Sequence, residues 1–134
     1  MKKVYLLSLT AALLFLSLNC KDSISGDVVD SRTMPASDIS FSKDLQPFLE
    51  IKCANGGCHD DGSRAGDLSL TSCTNAKADP SIIFPGNSAT SRIVWAVQGL
   101  SGTEPMPPLG STKPLTSEQV RGLKKWIDEG AKCN

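Results

Sequence analysis

The chain has 134 residues, a length that suits a single domain. Its 14 Lys and Arg balance its 14 Asp and Glu, which excludes a basic field for nucleic acid and an acidic interaction tail. One His and five Cys are therefore the most informative part of the composition.

Lys2 and Lys3 begin the chain, and Val4 to Leu18 then run without a charge. Spanning a bilayer as a helix takes about 20 apolar residues, so this shorter run reads as a signal peptide over residues 1–19, with an uncleaved anchor as the alternative. Cys20 follows directly. Leu16-Ser17-Leu18-Asn19-Cys20 resembles a relaxed bacterial lipobox, in which the cysteine takes lipid and becomes the new N-terminus. The alternative is an ordinary secreted protein, but no Ala-x-Ala-like cleavage site is present. Residues 20–40 are polar, rich in Ser and Asp, and read as the lipidated Cys followed by a flexible tether. Residues 41–134 then form the folded domain.

Three helices are expected in that domain. The first starts at Ser42 as N-cap and carries Leu45, Phe48, Leu49 and Lys52 at helical spacing into Cys53. The second follows Pro85-Gly86-Asn87-Ser88, carries Ile93, Val94 and Val97, and stops at Gly99. The third opens on Thr116 and Gln119, which have the spacing of a capping box, with Leu115 and Val120 as a staple. Val120, Leu123, Trp126 and Ile127 would form its buried face, and Gly130 its stop. Only Leu68-Ser69-Leu70 and Ile82-Ile83-Phe84 have strand character. The fold expected is all-α, with long ordered loops.

The chemistry lies in Cys53-Ala54-Asn55-Gly56-Gly57-Cys58-His59. Two thiols add across the vinyl groups on one side of a porphyrin, and a His directly after the second Cys then lies beneath the iron. The common form is Cys-x-x-Cys-His, whereas here four residues separate the cysteines. The extra length must loop out, which Asn55-Gly56-Gly57 permits because Gly accepts backbone angles other residues avoid. A plain Cys53–Cys58 disulfide, a zinc site with Cys73 and Cys133, or separate structural thiols are the competing readings.

His59 is the only His in the chain, so the remaining six-coordinate option is His59 with a Met. Met106, in Glu104-Pro105-Met106-Pro107-Pro108, is the Met expected in the folded domain, since Met34 falls in the tether. Cys73 and Cys133 are left as a pair for a disulfide. The outer nitrogen of His59 needs a partner, for which the Pro85 carbonyl is a candidate. Arg92 or Arg64 could pair with a haem propionate. Asp60-Asp61 reads as a polar turn, and Trp95, Trp126, Leu68 and Leu70 as core.

From about Phe41 to Ala131 the order of features resembles the planctomycete-type cytochrome c domain, within the class I cytochrome c fold. The residues that carry the likeness are Leu45-Gln46-Pro47-Phe48-Leu49 before Cys53, Gly66-Asp67-Leu68-Ser69-Leu70, and Pro85-Gly86-Asn87 followed by Ser91. Met106-Pro107-Pro108 and the closing Leu115-Thr116 with Trp126-Ile127 and Gly130-Ala131 complete it. The cysteine spacing departs from the short form usual in that family. The resemblance implies a small helical domain around one covalent haem c, with Cys53 and Cys58 as attachment points and His59 and Met106 as iron ligands. It implies an electron carrier, not an enzyme, which exchanges electrons with donor and acceptor proteins. Lipid on Cys20 would hold it to a membrane of the bacterial envelope. A peroxidase-like enzyme and a haem-free, disulfide-stapled lipoprotein that binds another protein are the rival functions.

Overall fold

The computed structural model describes residues 24–100 and 102–134. The expected signal peptide over 1–19 and the expected lipid site at Cys20 lie outside the described residues. Among the described residues there are helices and turns and no strand. The helices are α1 (Gly26–Asp30), α2 (Gln46–Lys52), α3 (Cys73–Ala76), α4 (Arg92–Gln98) and α5 (Ser117–Asp128).

The helix entering the motif starts differently from the expected form. Its N-cap is Ser40 instead of Ser42: the Ser40 hydroxyl accepts from the Lys43 amide, while Ser42 Oγ donates to the Asn134 carbonyl at 2.8 Å. Phe41–Leu45 is a π-helical turn that leads into α2. Pro47 brings no N–H to the ladder, so the wide turn closes on residues before it and α2 proper begins around it. Leu45, Phe48 and Leu49 are buried as their spacing requires, and so is Lys52. α2 ends with Cys53 at its C-cap.

α4 and α5 follow expectation closely. α4 ends on Gly99 at φ +64°, the left-handed conformation that a C-terminal stop uses. α5 has the reciprocal capping box of Thr116 and Gln119. Leu123, Trp126 and Ile127 are buried on its inner face, with Gln119 and Gly122 beside them, whereas Val120 is only half-buried. The Trp126 and Phe41 rings pack with centroids 5.4 Å apart. Cys73 and Cys133 are joined in a disulfide that ties α3 to the end of the chain.

The tether expected over 20–40 needs correcting from residue 24 onward. Val29, Met34 and Ile39 are buried in the common core. Side chains of α5 and the residue after it hold the backbone of this segment. Glu118 accepts from the Met34 amide at 3.1 Å, and Glu129 accepts from the Asp38 and Ile39 amides at 2.9 and 3.0 Å. Arg121 donates to the Met34 carbonyl at 2.6 Å and to the Pro35 carbonyl at 3.1 Å. The packed domain therefore includes α1 and the strap after it. Polar composition was misleading because the polar residues face solvent while three widely spaced apolar ones anchor the segment. Met34 is thus a second Met of the folded domain. It packs on Gly122, where an added Cβ would lie 3.0 Å from its sulfur.

Candidate functional site

One cavity of about 570 Å³ is bounded by the end of α2, the motif loop, α4 and the Met106 loop. Its size lies in the range of small-molecule and cofactor sites. Cys53, Cys58, His59 and Met106 all line it. Much of the remaining wall is apolar, contributed by residues such as Leu49, Leu68, Leu70, Ile82, Ile93 and Val97. Met34 does not reach it, so Met106 remains the Met of the site.

Local hydrogen bonding sets each of these side chains in place. The Ala54 amide donates to the Leu49 carbonyl at 2.8 Å, winding the chain out of α2. The Cys58 amide donates to the Asn55 carbonyl at 3.1 Å, closing a turn over Gly56 and Gly57, and Gly57 has φ +90°. The two residues beyond the common spacing are thus looped out where glycine is needed for its backbone angle. The His59 amide then donates to the Cys53 carbonyl at 3.0 Å, returning the chain to its starting point. The His59 carbonyl accepts from the Leu70 amide at 2.8 Å, which fixes the residue from behind. On the opposite wall the Met106 amide donates to the Ala96 carbonyl at 2.9 Å, tying the Pro-rich loop to α4. The Met106–Pro107 peptide is cis.

Cys53 and Cys58 are both free thiols, so the disulfide reading of the motif is not what the chain forms. The four-cysteine zinc reading also fails, because Cys73 and Cys133 are consumed by their bridge. Burial pushes the Cys53 thiol up to about 12, which keeps it a neutral thiol at ordinary pH.

His59 Nδ1 is buried without a hydrogen-bond partner among the described residues. The Pro85 carbonyl does not take the role expected of it. An imidazole, a thioether and two thiols around one apolar cavity form a donor set that fits a covalently held haem. Arg92 lines the cavity, where it could meet a propionate, whereas Arg64 points its guanidinium toward the Asp67 carbonyl at 3.5 Å.

The place of Lys52 at the cavity escaped the sequence reading, whereas Asp60 forms the polar turn expected of it. Lys52 lines the cavity with its ammonium on Asp30 at 2.6 Å and on the Pro114 carbonyl at 2.7 Å. Asp60 accepts from the Gly57, Gly62 and Ser63 amides, a bracing role that its Asp-x-Gly-Ser context could have signalled.

No curated protein and no solved structure matches the chain. Residues 56–110 match the family model described as Planctomycete cytochrome C, a stretch that contains Cys58, His59 and Met106 and begins just after Cys53. Over residues 56–110 the chain is therefore similar to a planctomycete-type cytochrome c domain.

Proposed function

We propose that this chain is an electron carrier that holds one covalent haem c and exchanges single electrons with donor and acceptor proteins. The observation that carries the proposal is the meeting of Cys53, Cys58, His59 and Met106 on one largely apolar cavity. Haem bound there would supply a one-electron Fe(III)/Fe(II) couple. Cys53 and Cys58 would hold it by thioether bonds, and His59 and Met106 would ligate its iron. A thioether ligand raises the reduction potential, and the apolar wall limits water beside the site, which acts in the same direction. Pro105, Pro107 and Pro108 flank Met106 and restrict its backbone, lowering the entropy lost when its side chain is fixed. Ligation by both residues leaves no position for a substrate, which favours outer-sphere transfer over a peroxidase. Cys20 would carry lipid and hold the domain to the periplasmic side or the outer membrane of a bacterial envelope.

The test is the full chain made in a host able to attach haem. An alkaline pyridine spectrum of haem c and a covalent haem mass are expected, and a chain without that mass overturns the reading. Met106→Ala should lose the low-spin spectrum while keeping the covalent haem. An unchanged low-spin spectrum would remove Met106 as a ligand.

A further inference from the structure

We infer that Asp60 is the positioning residue of the enlarged loop between the two cysteines, holding its tip at Gly57 so that both thiols stay at the cavity. The inference rests on the haem reading above.

The tip of this loop has no packing to hold it. A Cβ built on Gly56 or Gly57 would meet no heavy atom within 4 Å. What ties Gly57 is its amide, which donates to Asp60 Oδ2 at 3.0 Å, with Ser63 Oγ as a second acceptor at 3.2 Å. The other oxygen of the same carboxylate is already engaged: Oδ1 accepts from the Gly62 amide at 2.7 Å and the Ser63 amide at 2.8 Å. Asp60 therefore joins the loop before His59 to the turn after it, and each of its oxygens serves one side. An amide of the same size has a single acceptor oxygen, and its NH2 would face a backbone N–H. Asparagine at this position therefore releases one side of the brace.

The requirement follows from the attachment chemistry. Each thiol adds its S–H across a vinyl C=C. The S–C bond forms at one vinyl carbon and the proton ends on the other, with no leaving group and no oxidant. The separation of the two vinyl groups is fixed, so both sulfurs must be placed at once. Cys53 is anchored as the C-cap of α2 and buried, whereas Cys58 is only half-buried and directly follows Gly57. Loss of the brace should therefore be felt at Cys58.

The experiment uses the full chain from a haem-attaching host, denatured and treated with iodoacetamide, with the Cys53 and Cys58 peptides weighed. Wild type should show both cysteines capped by haem. Asp60→Asn should give a several-fold rise in alkylated Cys58 while Cys53 stays capped. Deleting Gly56 and Gly57 in the Asp60→Asn chain should restore both thioethers, because the shortened loop has no tip to brace. Two intact thioethers in Asp60→Asn, or the same loss in the shortened loop, would overturn the proposal. Should Asp60→Asn not fold, amide exchange in wild type decides: a slowly exchanging Gly57 amide supports the brace, and free exchange overturns it. A wild-type chain with both cysteines alkylated defeats the haem reading and this proposal together. That result differs from a haem-loaded wild type matched by its variant, which defeats the proposal alone.

Discussion

Lys52 has only 3 % of its side chain exposed, a position that an ammonium group tolerates only when paired. Asp30 supplies the pair, and the Lys52 hydrogen bond, with help from the Gln119 amide, holds the Asp30 carboxyl below its ordinary value of 3.8. A carboxyl with a lowered folded pKa stabilises the fold above its unfolded pKa, and that contribution is lost as pH falls through the folded value. Asp30→Asn should therefore cost about 1.5–3 kcal/mol near neutral pH, the range for a hydrogen bond to a charged group. The gap between variant and wild type should narrow as pH drops below 3.8, read by urea denaturation across an acid series. A gap independent of pH would show that the carboxylate charge is not what Lys52 requires. The burial of Lys52 followed from its register with Leu45, Phe48 and Leu49, but its partner did not. Asp30 lies in a stretch whose composition resembles a linker, and an ion pair leaves no periodic signal.

At the scale of the element, α5 shows which features a sequence makes legible. Its cap, its stop and three of the four residues expected on its inner face are local, set by residues within one or two turns of each other, and were readable, whereas Val120 is only half-buried. The motif loop was readable for the same reason, since the glycines lie where the turn needs them. What was hidden is the second duty of α5. Gln119 completes the box by accepting from the Thr116 amide at 2.9 Å, and its amide also donates to the Val29 carbonyl at 3.2 Å. Glu118 and Arg121 likewise face the strap and not solvent alone. Such bonds join backbone groups about 90 positions away, and no pattern along the chain announces them. The two duties can be separated by mutation. Thr116→Ala removes one cap bond and should cost about 1 kcal/mol. Gln119→Ala removes the other cap bond together with the side-chain bonds to the Val29 carbonyl and to Asp30, so it should cost about 2–3 kcal/mol. Chemical denaturation of the two variants tests the order, and equal costs would mean that the contact with α1 contributes nothing.

For the whole molecule, two long-range ties hold the domain together: the segment over α5 and the Cys73–Cys133 bridge, whose cysteines are 60 positions apart. A small domain built around a cofactor cavity has little core to spare, because the cavity wall is apolar surface that packs on no other part of the chain. α1 and the strap add Val29, Met34 and Ile39 to that core, and α1 supplies the carboxylate that Lys52 needs. A chain beginning at Phe41, where composition places the start of the domain, would lose all of this. Burying one such side chain contributes roughly 1.5–3 kcal/mol, so three of them amount to something on the order of 5 kcal/mol before the Lys52 pair is considered. That is comparable with the whole stability of a small domain. The bridge contributes about 4 kcal/mol in the chain-entropy model and acts on the unfolded chain, so it cannot restore contacts that the truncation removes. A chain starting at Ile24 should therefore unfold cooperatively, while one starting at Phe41 should show little or no cooperative transition even with the bridge intact. Thermal melts of the two by circular dichroism distinguish the cases, and equal midpoints would return the strap to the status of a tether.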